Sequence, residues 1–353
     1  MEVYKKKQKL GLKCLKQIKI LLLFLMILYG IVYKKKFESI YSPKISIFLP
    51  IYNKANYLKK SIGSIQIQTI KDIEIIAVND CSEDNTLEVL KEMEKKDKRI
   101  KIINNDKNRG LLYSRAMGIL NSKGKYLMNL DPDDEFKDSD NLEYLYKIAN
   151  KLRIDVISFG FIKKNKLSST QNYLCSNFNI IYYQPEIVNS YYKKIDYLIW
   201  NKFIKKDLFL KAYEIFKEQI YAEKWNYNED EIWSALIYNY ANSMICVNKT
   251  IYIYNINNDS LKKNKYNILY LKNLINWIEM FTKIFNNKKG KIMLINRFSQ
   301  LIKNINENKT IFLNIINKNS EIKNKYIKIF NIINNQFIFN NSILKNIIYY
   351  LKN

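Results

Sequence analysis

The sequence predicts an α/β fold with a Rossmann-like, doubly wound, mostly parallel sheet. Three observations carry that expectation. Between residues 44 and 161, short apolar runs alternate with segments whose apolar residues recur at helical spacing. The connections between them are short, as in repeated strand–helix–strand units. Acidic residues follow two of the runs, Asp80 after one and Asp131-Pro132-Asp133-Asp134 after another. The carboxyl ends of strands are where such sheets bind ligands.

Lys44 to Pro50 reads as the first strand, stopped by its proline. Asn53 is placed to cap a helix with Ala55, Leu58, Ile62 and Ile65 on its inward face. Asp72 to Val78 is a second strand, turned at Asn79-Asp80-Cys81-Ser82. A helix from Asn85 points Leu87, Leu90 and Met93 inward. Ile100 to Ile103 is the third strand, and Asn108-Arg109-Gly110 leads into a helix carrying Leu112, Ala116 and Ile119. Tyr126 to Leu130 is the fourth strand. A helix through Leu142, Leu145 and Ala149 and a strand from Asp155 to Phe161 come next. Residues 163–180 are polar and irregular. Ile199-Trp200-Asn201-Lys202 opens a second structured stretch, and Asn228-Glu229-Asp230 begins a helix with Ile232, Trp233, Leu236 and Ile237.

Composition narrows the chemistry. The 353 residues include no histidine, which removes the usual general base and the usual zinc ligand. Any catalysis must then run on carboxylates. Asp131, Asp133 and Asp134 repel one another unless positive charge lies beside them. A hard divalent cation, with the phosphates it carries, suits such a cluster. The four cysteines (Cys14, Cys81, Cys175, Cys246) are scattered without a CxxC pair, which argues against a zinc site or a disulfide framework. No GxGxxG follows the first strand, and no GxxxxGK[ST] occurs anywhere.

The net charge of +26 invites a nucleic-acid reading, but its distribution opposes it. Eleven lysines against Glu2 and Glu38 give residues 1–44 a net +9. Sixteen lysines and Arg297 against three glutamates give residues 261–353 a net +14. The motif-bearing middle is left at +3. Basic ends suit an anionic membrane surface, and Ile20 to Tyr33 is an apolar run with lysines on both sides. A membrane-associated protein with a single N-terminal anchor is the expectation. That divides the chain into a basic anchor segment at 1–43, a catalytic domain at 44–260, and a mostly helical basic extension at 261–353.

The middle resembles the family 2 glycosyltransferases. The segments that carry the resemblance are Pro50-Ile51-Tyr52-Asn53, Val78 through Thr86 around Asp80, Asn108-Arg109-Gly110 with Ser114-Arg115 and Gly118, and Leu130-Asp131-Pro132-Asp133-Asp134. Trp200-Asn201-Lys202 and Glu229-Asp230 follow in the family's order. The resemblance implies a GT-A fold and a nucleotide-sugar donor, a UDP-sugar first of all. It places Pro50, Tyr52 and Asp80 around the base, and Arg109 and Arg115 toward the nucleotide or phosphates. Asp133 becomes the main ligand of Mn²⁺ or Mg²⁺, and Asp131 approaches the ribose or the metal. Asp134, Trp200, Asn201 and Lys202 become acceptor or supporting residues. Asp230 becomes the catalytic base, supported by Glu229.

The implied reaction is inverting transfer of one sugar to a hydroxyl of a glycan or lipid-linked acceptor. The Gln-x-x-Arg-Trp signature of polymerising members is absent, which points to a non-processive member of the bacterial surface-polysaccharide or protist kind. Tyr252-Ile253-Tyr254-Asn255 stands where many relatives carry a basic residue. The phosphates are then expected to lean on the metal, on Arg115 or on a tail lysine. A bacterial enzyme would work at the cytoplasmic face, a eukaryotic one in the Golgi lumen. The rival readings are a nucleotidyltransferase and an inactive sugar- or nucleic-acid-binding protein.

Overall fold

The computed structural model describes residues 42–165, 169–172, 178–184, 186–187, 198–222 and 224–256. Helical positions 24–26, 29, 273, 276, 280 and 324 are also described. The chain divides into two compact units, Met1–Pro43 and Lys44–Asn353.

The strands of the second unit are β1 (Ile45–Ile51), β2 (Ile73–Asn79), β3 (Ile100–Asn104), β4 (Tyr126–Asn129), β5 (Glu135–Phe136), β6 (Val156–Lys164), β7 (Ser169–Asn172), β8 (Ile181–Tyr183), β9 (Lys202–Lys205) and β10 (Ser243–Asn255). Between them lie α1 (Ala55–Gln66), α2 (Thr86–Lys96), α3 (Leu111–Asn121), α4 (Asn141–Leu152), α5 (Lys206–Ala222) and α6 (Glu229–Tyr240). The sheet order is β3-β2-β1-β4-β9-β6-β10-β5, with β7 on β6 and β8 on β10.

The expected α/β class holds, with helices on both faces. Ile45, Ile47, Leu49 and Ile51 of β1 join one core cluster with Leu58, Ile62 and Ile65 of α1 and Leu142, Leu145 and Ala149 of α4. Alternation along the strand sends Phe48 to the opposite face. There its ring meets Phe209 of α5 edge-on, with centroids 5.8 Å apart.

The "mostly parallel" expectation needs correction. β3, β2, β1 and β4 are parallel neighbours, but β9 runs antiparallel to both β4 and β6. β10 is parallel to β6 and antiparallel to β5 and β8, so the sheet is mixed. Strand direction depends on how each connection returns, and hydrophobic period carries no record of it.

Two local expectations also change. β1 does not stop at Pro50 but runs to Ile51. Phe48 is the last β1 residue registered with β4, and beyond it Pro50 and Ile51 pair only with β2. The absent proline N–H therefore breaks no ladder. Asn53 does not cap α1. It sits in the left-handed region at φ 51, and its Oδ1 accepts the Glu83 N–H at 2.8 Å. The first N–H groups at this end go instead to Thr86 Oγ1 and Asp84 Oδ2, at 2.9 and 3.3 Å.

The N-terminal anchor is corrected as well. Among the described residues no helix is long and apolar enough to cross a membrane. Within 20–33 only Phe24, Leu25, Met26 and Tyr29 are described, and the rest of that run lies outside the described residues. The helical extension expected over 261–353 also lies outside them, apart from four isolated positions. Cys246 in β10 is disulfide-bonded, which its isolated position in the sequence did not suggest.

Candidate active site

The strand order reverses at β1, which has β2 on one side and β4 on the other. A crevice opens at the carboxyl ends of strands at such a point. Here it is a cavity of about 560 Å³. Pro50 to Lys54 line it from β1, Asp80 from β2, Asn108 from the turn after β3, and Asp131 to Asp134 from β4. Tyr254 and Asn255 of β10 also line it, as do Lys224 and Asn226, which lie against Gly110.

Asp80 is buried and holds the entry to α3. Its Oδ1 accepts from the Arg109 N–H and from Asn105 Nδ2, and its Oδ2 accepts the Gly110 N–H, all at 2.8 Å. Gly110 has φ 92, and a β-carbon there would lie 2.8 Å from Asn226 Oδ1 and 3.0 Å from the Trp225 nitrogen. Only glycine fits this turn without strain. Arg109 contributes its backbone here, while its side chain pairs with exposed Asp106 at 3.1 Å and lies over the Tyr113 ring.

Arg115 is the hub of a buried charge network. Its side chain is 2% exposed. One terminal nitrogen donates to Glu229 Oε1 at 2.6 Å and to Asp230 Oδ1, and the other reaches Asp131 Oδ1 at 3.2 Å. Nε donates to Asn129 Oδ1 at 3.2 Å, and Asn129 Nδ2 in turn holds Asp131 Oδ1 at 2.8 Å. One guanidinium thus ties the tip of β4 to the first turn of α6. Burial alone would lower the Arg115 pKa, but the charges of Asp230, Asp131 and Glu229 outweigh it and raise it. Burial pushes Glu229 up to about 8, against the pull of Arg115. Asp230 is shifted in the same direction by burial and the Asp131 charge, again opposed by Arg115.

The three tip carboxylates take different roles. Asp133 Oδ2 pairs with Lys54 Nζ at 2.8 Å, both side chains being about one-fifth exposed. Asp134 is buried, accepting the Asn255 N–H at Oδ1 and the Tyr252 O–H at Oδ2, each at 2.8 Å. Burial, then the charges of Asp131 and Asp133, hold its pKa well above the ordinary carboxylate value. Asp131 keeps 23% of its side chain exposed, and its backbone N–H donates to the Tyr252 oxygen at 3.1 Å.

Trp200, Asn201 and Lys202 lie beneath the cavity rather than in its lining. Trp200 stacks on Tyr252 and Tyr254, with centroids 4.7 and 5.5 Å away. It backs the rings that border the acidic tip. Lys202 Nζ bonds Leu198 O and Asn201 Oδ1, and its charge pulls Asp230 back toward the ordinary range.

A family model described as glycosyl transferase family 2 matches residues 46–211. A glycosyltransferase of Haemophilus influenzae is 31% identical over 261 residues, covering 66% of this chain and 76% of that protein. The chain belongs to glycosyltransferase family 2. Glycosyltransferase GlyA of Streptococcus pneumoniae is 31% identical over 62% of this chain and 32% of its own length. EpsJ of Bacillus subtilis is 28% identical, with 64% of each chain covered. The chain therefore spans about a third of the first of these two relatives and just under two thirds of the second. Staphylococcus aureus TarS (residues 1–349), crystallised with UDP-GlcNAc, shares the fold at a TM-score of 0.59 and 18% identity, over 81% of this chain and 83% of that one.

Among the described residues no three His, Cys, Asp or Glu side chains are grouped to hold a metal by themselves. The donor set fits a divalent ion of another kind, held by one or two carboxylates and completed by substrate phosphates. Asp133 Oδ1 and Asp131 Oδ2 are the oxygens not engaged by Lys54, Arg115 or Asn129. Sequence reasoning missed Lys54, Tyr252 and Asn255 as members of this site. Tyr252 and Asn255 were visible only as the absence of a basic residue. The signal for Lys54 was its place directly after the first loop motif.

Proposed function

We propose that the catalytic domain transfers one sugar, with inversion and with Mn²⁺ or Mg²⁺, from a nucleotide-diphosphate sugar to a hydroxyl of a glycan or lipid-linked acceptor. One observation carries this reading. Pro50, Tyr52, Asp80, Asp131 and Asp133 line one cavity, and Arg115 links Asp131 to Asp230, which supports a donor site beside a carboxylate base. TarS, which shares the fold, binds UDP-GlcNAc, and this supports a UDP-sugar as donor.

Asp80 offers the nucleobase a directional partner. A carboxylate has about four acceptor positions, and the Asn105, Arg109 and Gly110 donors fill three. The fourth suits a ring N–H. Pro50 and Tyr52 supply flat, apolar surface beside it. A metal held by Asp133, with Asp131 near it, would neutralise charge on the leaving diphosphate as a Lewis acid.

At the reacting centre the acceptor oxygen forms a bond to the anomeric carbon. The bond from that carbon to the diphosphate oxygen breaks, and the nucleoside diphosphate leaves with the electron pair. The acceptor proton passes to Asp230. One displacement of this kind inverts the anomeric centre. Asp230 suits the role because its raised pKa brings it closer to neutral pH, where a general base is most effective. Glu229 and Arg115 fix its position.

The test is turnover with a panel of nucleotide sugars, with and without Mn²⁺. Asp230→Asn is expected to lower kcat by roughly 10²–10⁴-fold while nucleoside-diphosphate binding persists. Asp133→Asn is expected to abolish the metal dependence and most of the activity. Full activity in both variants would reject these assignments.

A further inference from the structure

A diphosphate needs positive charge wherever it binds. The two arginines that the family resemblance places near it are engaged elsewhere. Arg115 is enclosed by Asp131, Glu229 and Asp230, and Arg109 faces Asp106 outside the cavity lining. Among the described residues, the cationic side chains lining the cavity are Lys54 and Lys224. Lys224 lies against Gly110, on the Asp80 side. Lys54 lies at the acidic tip, with Nζ 2.8 Å from Asp133 Oδ2.

Lys54 is also well placed to move between partners. Thr86 Oγ1 holds its backbone N–H at 2.9 Å, so its base is fixed at the start of α1. Its ammonium lies 5.1 Å from the Tyr57 ring centroid, and 18% of the side chain is exposed. An ammonium on a four-carbon stem carries three donors and reorients without changing the backbone.

We propose that Lys54 is the diphosphate-binding cation of this site. It pairs with Asp133 when the donor is absent and passes to the diphosphate oxygens when donor and divalent ion enter together. This rests on the nucleotide-sugar reading above. Lys54 on Oδ2 and an ion on Oδ1 would share one carboxylate, and their like charges oppose each other. Lys54 therefore weakens metal binding in the absence of nucleotide and strengthens binding of the nucleotide itself. The ion is then best bound when it arrives with a diphosphate to receive the lysine.

Calorimetric titration of the full chain and of Lys54→Gln tests this, using UDP with Mn²⁺, uridine, and Mn²⁺ alone. UDP affinity is expected to fall roughly 10–100-fold in the variant, the loss of one charge-assisted hydrogen bond. Uridine affinity stays unchanged, which reports an intact fold and base subsite. Affinity for Mn²⁺ alone rises. Lys54→Arg recovers part of the UDP affinity. Equal UDP affinity in wild type and Lys54→Gln overturns the proposal and leaves the nucleotide-sugar reading standing. A wild type that binds neither UDP nor uridine overturns both.

Discussion

At the scale of single residues, Arg115 faces three carboxylates with one positive charge. If all three were ionised, the buried cluster would be left net negative, which low-dielectric surroundings disfavour. Glu229 relieves this by holding its proton up to a pH of about 8. The consequence for stability has a definite sign. An unfolded glutamate loses its proton near its ordinary value of 4.5, whereas the folded one keeps it to about 8. The folded state binds more protons in that window, so this group's contribution is present at low pH and lost as pH rises through about 8. Glu229→Gln keeps the hydrogen bond to Arg115 without the titration. Its melting temperature relative to wild type is therefore expected to climb between pH 5 and 8. A difference that stays flat across that range would show that Glu229 is already ionised.

At the scale of elements, the entry to α3 shows how a turn can fix a carboxylate that lines the cavity. Gly110 adopts a conformation that L side chains avoid, and the space beside it is filled by Asn226 and Trp225. Asn226 Oδ1 also accepts the Leu111 N–H at 2.9 Å, so the same side chain caps the helix and closes on the glycine. Gly110→Ala must either strain the backbone or push Asn226 away. A cost of about 1–3 kcal/mol is expected from thermal or urea unfolding. Because Asp80 accepts the N–H groups of Arg109 and Gly110, uridine affinity should fall with stability. Loss of stability with unchanged uridine affinity would separate the turn from nucleoside binding.

For the molecule as a whole, the decisive joint is between the parallel half of the sheet and the mixed half. Tyr252 lies far along the chain in β10, yet its hydroxyl donates to Asp134 and accepts from the Asp131 N–H at the tip of β4. Trp200, just before β9, stacks on the same ring. Tyr252→Phe removes the hydroxyl and leaves Asp134 Oδ2 and the Asp131 N–H without this partner. About 1–3 kcal/mol of stability should be lost, and turnover should fall because the tip is freed. Urea unfolding and initial rates check the two effects separately. Unchanged values in both would mean that the tip is held without β10.

The α/β class, the first four strands, and the apolar faces of α1 and α4 follow from the sequence alone, because burial repeats with the period of each element. The acidic tip at 131–134 and the turn at Asp80 were legible for a related reason, since polar residues ending buried strands have few other places to go. Tertiary structure alone decided the strand directions from β9 onward, the long-range capping at Lys54 and Ala55, and the pairing of Lys54 with Asp133. It also turned Arg115 inward onto three carboxylates, where the motif suggested a residue facing phosphate. These contacts join residues from 16 to more than 100 positions apart. Periodicity records which side of an element is buried. It does not record which distant element lies against it.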